Sequence, residues 1–232
     1  MQLPKHIVFY LTVLTLLVAG GLSACKKDYY VDSGLQNGKY GMSSLEFLSR
    51  QPFFFDTVVQ VIHLAQMDDI LADSNVTFFS PTDHAIGKAM DALNAMRSEA
   101  FKDSLQLADV PQEVWYRFLS DYIFREKYML KDIARRAPSE LNVYPGMNME
   151  SWAGYIMNLG VEFSDYEGTN DVGPRQLTIT DIGDLANPAD ITARVATSDI
   201  QTQNGVIHVL DDSHDFGFSL ARFQSEVSQY IY

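Results

Sequence analysis

The apolar residues of this chain change their rhythm once, near Ala137, and that change limits the folds open to it. Before it, Phe54, Phe55, Val58, Val59, Ile62 and Ala65 recur at intervals of three and four, as do Val114, Trp115, Phe118, Leu119, Tyr122 and Ile123. Both stripes predict amphipathic helices packed on a core. After it, Pro138, Pro145, Gly146, Gly154, Gly160 and Pro174 punctuate short segments such as 155–159 and 176–182, which predicts strands and loops. Residues 193–198 read as a further strand. Gly205 to Leu210 is an apolar run without alternation, as in a strand buried on both faces. Helices early and strands late predict a single domain of the α+β class.

Local signals refine this outline. Ser43-Ser44-Leu45-Glu46 fits a capping box, so a short helix is expected to start there and to stop before Pro52. Asp68-Asp69 reads as a break, and Val76-Thr77-Phe78-Phe79 as a strand. That strand runs into Ser80-Pro81-Thr82-Asp83, where Ser80 is expected to cap a helix, Pro81 to occupy its first turn and Asp83 to face the positive end of its dipole. Asn204-Gly205 predicts a turn tolerant of positive φ. Leu220, Phe223, Val227 and Ile231 predict a helix in the tail, 215–232.

The N-terminus carries a different kind of signal. Lys5 and His6 precede an apolar run from Ile7 to Ala19, and small residues lead to Leu22-Ser23-Ala24-Cys25. This layout is that of a secretory signal, and its end resembles the bacterial lipobox. Residues 1–24 are therefore expected to be a signal peptide, with Cys25 the lipid-attachment residue and 25–41 a polar tether. Each buried methylene of an acyl chain contributes about 0.8 kcal/mol, and stable anchoring takes more than one chain. The competing reading, a spanning helix over 7–24, is near the lower length limit and is weakened by Gly20-Gly21. Cys25 is the only cysteine, so no internal disulfide can form.

The sequence profile also contains family-like motifs. Val76-Thr77-Phe78-Phe79-Ser80-Pro81-Thr82-Asp83-His84-Ala85 and, some 120 residues on, Asp199-Ile200 with Asn204-Gly205-Val206-Ile207-His208-Val209-Leu210-Asp211 together resemble the two motifs of the fasciclin, or FAS1, domain family. The resemblance covers roughly residues 42–214 and implies helices packed around a twisted β-sheet wedge. Where most members carry a Tyr-His pair, this chain has Asp121-Tyr122, so the integrin recognition associated with that pair is not carried over. Lys26-Lys27-Asp28 beside the anchor looks like lipoproteins of the Bacteroidota. The motif residues Ser80, Pro81, Thr82, Asp83, Asn204, Gly205 and His208 are read as builders of the fold, with His208 a hydrogen-bonded core histidine.

No recognisable chemistry accompanies these motifs. His63, His84, His208 and His214 lack metal-ligand spacing, and the cluster of His208 and His214 with Asp211, Asp212 and Asp215 reads as a solvated turn. The acidic loop 165–171 lacks the register of a calcium loop. Neither a serine elbow nor a phosphate loop is present, so no cofactor, metal or catalytic residue is expected. A formal charge of −13 with no basic stripe argues against nucleic acid. Of the aromatics in the loop-rich half, Tyr144, Trp152, Tyr155 and Tyr166, the pair Trp152 and Tyr155 reads first as core and second as ligand-facing. The function expected is a lipid-anchored, non-catalytic FAS1 module of the cell envelope, at the outer membrane, that binds a protein or glycan partner. An accessory glycan-binding component of polysaccharide uptake, and a hydrolase with carboxylates scattered in sequence, are the alternatives. Ligand identity and oligomeric state are left open.

Overall fold

The structure is a computed structural model that describes residues 38–164, 173–184 and 188–231. The expected signal segment, Cys25 and most of the tether, together with loop 165–171 and its Tyr166, lie outside the described residues.

The described chain opens with short helix α1 (Ser44–Ser49), followed by α2 (Pro52–Leu64) and α3 (Asp68–Asp73). Ser43 caps α1 by accepting a hydrogen bond from the Glu46 amide at 3.2 Å, whereas the Glu46 carboxylate turns to Arg50. Only the serine half of the expected box is therefore built. In α2 the buried stripe is Phe55, Val58, Val61 and Ile62; Phe54, expected inside, is 53 % exposed. The cause is local: backbone dihedrals leave helical values at Phe55 (φ −136°, ψ 16°), so Pro52, Phe53 and Phe54 form a first turn set off from the packed helix. Asp68-Asp69, expected as a break, instead begins α3, where two carboxylates sit favourably at the positive end of the helix.

Strand β1 (Val76–Ser80) is buried at every position. It leads to α4 (Asp83–Glu99), whose N-cap is Thr82 rather than Ser80; Ser80 is the last residue of the strand. Asp83 sits in the first turn and also accepts from the Val58 amide at 2.9 Å, fixing α2 against the start of α4. Helix α5 (Gln112–Ser120) buries Val114, Trp115, Phe118 and Leu119. Tyr122 and Ile123 are buried too, yet lie past its end, Ile123 opening β2 (Ile123–Arg125).

The later half is strand-rich: β3 (Met147–Glu150), β4 (Ile156–Phe163), β5 (Arg175–Gly183), β6 (Pro188–Gln201) and β7 (Gly205–Leu210), then α6 (Leu220–Tyr230). One sheet holds them in the order β2-β1-β7-β6-β5-β4-β3. β1 and β7 run parallel and every other neighbouring pair is antiparallel. β6 ties the sheet together: its first part pairs with β5, its last part with β7, and register shifts between Val195 and Ile200 bend it from one to the other. At the far ends Ser151 bridges Phe124, so the two edges of the sheet meet at one point. That contact and the Trp152 amide bond to the Ile123 carbonyl (2.7 Å) give the edges partners they would otherwise lack. The α+β class and single-domain packing read from the sequence are what the structure shows.

The centre of the core is aromatic. Trp115 lies 5.4 Å from Phe223 and 5.9 Å from Phe216, and Phe118 packs on the same two rings. Gly217 is needed there: its φ is +74°, and a Cβ would come within 2.5 Å of the Phe118 ring.

Candidate functional site

The two sequence motifs meet as neighbours in the sheet, since β1 and β7 pair from Val76 with Gly205 to Ser80 with Val209. Asn204 and Gly205 work as a clamp at one end. The Asn204 side chain donates to the Leu71 and Ser74 carbonyls (3.0 and 2.9 Å) and accepts from the Ser44 amide (2.8 Å), joining α1 and α3 to the sheet. Gly205 does not take the positive φ expected of it. It is required because a Cβ would lie 2.6 Å from the Val76 carbonyl oxygen. At the other end Thr82 donates to Asp212 at 2.7 Å.

His208 is fully buried on β7. Its Nε2 donates to the Tyr128 carbonyl at 2.9 Å and its Nδ1 accepts from the Asp199 amide at 3.2 Å, so both ring nitrogens are engaged. Burial holds its pKa below the ordinary value and keeps it neutral. Asp199 itself sits at φ 63°, and its side chain accepts from the Leu130 amide at 2.7 Å. The histidine therefore fastens the 128–130 segment to the bend in β6.

The turn at 211–215 is solvated at Asp212 and Ser213, as expected, but not at His214. That histidine is buried, and its Nε2 shares a 2.6 Å hydrogen bond with the Tyr122 hydroxyl, which accepts from the Gly217 amide at 2.7 Å. Tyr122 is stacked on Phe216 (5.8 Å) and Phe218 (5.2 Å). Loss of solvent pushes His214 down to about 4 and the Tyr122 phenol up, so a neutral phenol meets a neutral imidazole. Among the described residues no three His, Cys, Asp or Glu side chains are placed to hold a metal ion.

Beside Tyr122 lies a charged group that sequence spacing does not reveal. Asp121, 1 % exposed in its side chain, pairs with Arg117 at 2.6 Å and with Arg222 of α6 at 3.6 Å, while Arg222 also bonds Asp181 of β5 at 2.8 Å. Burial pushes the Asp121 carboxyl up against the pull of Arg117. Three elements distant in sequence are thus locked by one network.

Close to that network, and sharing Tyr155 with its arginines, is a surface cleft of about 850 Å³, lined by Tyr155, Ile156, Ile182, Gly183, Asp184 and Pro188. A smaller concavity of about 260 Å³ shares Tyr155, Gly183 and Asp184 with it and reaches Arg222 and Ser219. Tyr155 and Ile156 are 37 and 44 % exposed, so Tyr155 does not pack in the core as first expected. Guanidinium groups cover it: Arg117 lies 4.0 Å and Arg222 5.4 Å from the ring centre. Trp152 is half-buried under Arg125 at 4.0 Å and is not among the residues lining this cleft. The isoleucines were missed because Ile156 and Ile182 occupy strand ends, where alternation does not tell which face is open.

A second groove, about 520 Å³, lies where the motif segments end, with Ile200 and Leu210 near Thr82 and Asp212 and with Tyr40, Phe47, Phe54 and Phe55 also lining it.

The profile of the fasciclin domain family matches residues 54–213 of this chain. A search of curated proteins returns no match. Among solved structures, the FAS1 domain pair of the insect cell adhesion molecule fasciclin I is similar at 18 % identity with a TM-score of 0.48. The alignment covers 73 % of this chain and 49 % of that one, so this chain spans about half the length of the two-domain structure.

Proposed function

The chain belongs to the fasciclin (FAS1) domain family, and on that basis we propose that it is a lipid-anchored, extracytoplasmic binding module that holds a protein partner in the cleft beside Tyr155. Fasciclin domains are in general adhesion or binding modules rather than enzymes. The lipobox ending at Cys25 supports attachment at the cell envelope. What carries the partner assignment is the lining of the cleft: Ile156, Ile182 and Pro188 offer aliphatic surface there, and the adjoining concavity is lined by the paired Asp181 and Arg222. Apolar recesses of this kind receive anchor side chains of a protein partner. The net charge of −13 favours a partner with a basic rim through long-range attraction.

A glycan is less well served. Sugars stack on free aromatic faces, and Tyr155 and Trp152 each already carry an arginine. Glycoside hydrolysis takes a pair of reachable carboxyl groups, whereas Asp121 and Asp181 are buried and paired with Arg222 and, among the described residues, the cleft lining holds one exposed carboxylate, Asp184.

Two measurements test the proposal. Mass spectrometry of the protein purified from membranes should find acyl chains on Cys25; a free thiol there removes the anchor. Cells carrying Ile156→Asp should adhere to one another or to their substratum less than wild-type cells at equal surface abundance. Unchanged adhesion removes the cleft from the function, and retention on a glycan array by the wild-type protein would replace protein by sugar.

A further inference from the structure

We infer that the turn carrying Phe53 and Phe54 rests on the lipid surface, its two rings seated at the boundary between headgroups and acyl chains. The inference builds on the proposed anchor at Cys25. Phe53 is 87 % and Phe54 53 % exposed, and their rings meet edge to face at 4.9 Å. Burial of such side chains is favourable, so two adjacent exposed rings form an apolar patch suited to being covered. They are not stray members of the core stripe: the kink at Phe55 holds them on a separate turn, and only the third phenylalanine of Phe53-Phe54-Phe55 turns inward.

Their location selects the occupant. Tyr40 packs on Phe47 at 4.6 Å and lines the same groove as Phe54. The chain is pinned at this point, because the Tyr40 amide donates to the Gln201 carbonyl (2.7 Å) and the Gln201 amide to that of Gly38 (2.5 Å). Between Cys25 and Gly38 lie the twelve residues Lys26 to Asn37, a span of thirteen steps that reaches about 45 Å only when fully extended. A domain of about 200 residues has a radius of gyration of about 16 Å and is therefore roughly 40 Å across. A leash that spans the domain's width only at full extension favours the pinned side, with Phe53 and Phe54, facing the bilayer. The leash also raises the local concentration of lipid, so that weak interfacial affinity suffices. Because the chain carries a net charge of −13, a zwitterionic surface fits it better than an anionic one.

The test uses the full chain, acylated by a bacterium that processes lipoproteins and reconstituted into phosphatidylcholine vesicles. With Cys25 blocked by lipid, Asp56→Cys supplies the one reactive thiol for an environment-sensitive fluorophore next to the intact rings. Its emission should move to the blue and be quenched by nitroxide on the acyl chains, several-fold more than the same label at Phe101→Cys, a 99 % exposed site beyond the end of α4. Adding Phe53→Ser and Phe54→Ser should abolish the difference. Water-like emission at position 56 in protein whose Cys25 is shown to be acylated overturns the inference and leaves the anchor standing. Equal quenching at 56 and 101, or quenching that survives loss of both rings, also overturns it. An unmodified Cys25 overturns both readings together.

Discussion

Individual residues in this fold are held by reasons that sequence chemistry names only in part. Gly217 is an instance: its left-handed backbone and the Phe118 ring 2.5 Å from a would-be Cβ leave no room for a side chain. Gly217→Ala is expected to cost about 2 kcal/mol or more, from backbone strain together with the clash, read as a lower denaturant midpoint at unchanged m-value. His214 gives a pH prediction. Its folded pKa of about 4 lies below the ordinary value of 6.5 for the unfolded chain. The unfolded state therefore binds the proton first, so the stability this group contributes is intact above pH 6.5 and declines as pH falls towards 4. The full difference is about 3 kcal/mol. His214→Gln should flatten the fall in melting temperature between pH 7 and pH 4.5, and an equally steep fall would show that another group is responsible. The role of Gly205 as a close-contact residue, and of His214 as buried, could not be read from neighbours in the chain, because the atoms that exclude or cover them belong to Val76 and Tyr122.

At the scale of elements, apolar spacing was informative wherever one face meets one core. α2, α5 and α6 were all legible in this way, as was β7, whose apolar run matches a strand covered on both sides, while β1 was legible from its β-branched and aromatic residues. Spacing gave the wrong answer where a helix ended or kinked: it carried α5 through Tyr122 and Ile123, and placed Phe54 inside. Burial alone cannot report that the backbone has changed direction. Helix α6 is the element whose worth is most easily measured. Phe223 is fully buried between Trp115 and Phe118, whereas Tyr230 on the same helix is 50 % exposed. Phe223→Ala should destabilise by about 3–5 kcal/mol, while Tyr230→Ala should fall within about 0.5 kcal/mol of wild type. Equal effects in chemical denaturation would mean that the helix is not docked on the core.

The whole molecule depends on pairings between distant parts of the chain. β1 pairs with β7 across most of the domain, and Asp121, Asp181 and Arg222 bring α5, β5 and α6 to one network. Such contacts require large loops to close before they repay the loss of chain entropy. Refolding is therefore expected on the millisecond-to-second scale of non-local folds rather than in microseconds, and stopped-flow fluorescence of buried Trp115 would check it. By itself the sequence determined the α+β class, the family motifs and the order of most elements, because periodicity and turn chemistry are properties of neighbouring residues. Only the tertiary structure decided which side chains are open: it gave Tyr155 its arginine cover, buried His214, grouped Ile156 with Ile182 and left Phe53 outside. Exposure is set by what other segments bring to a position, and that information is spread along the whole chain rather than carried at the residue.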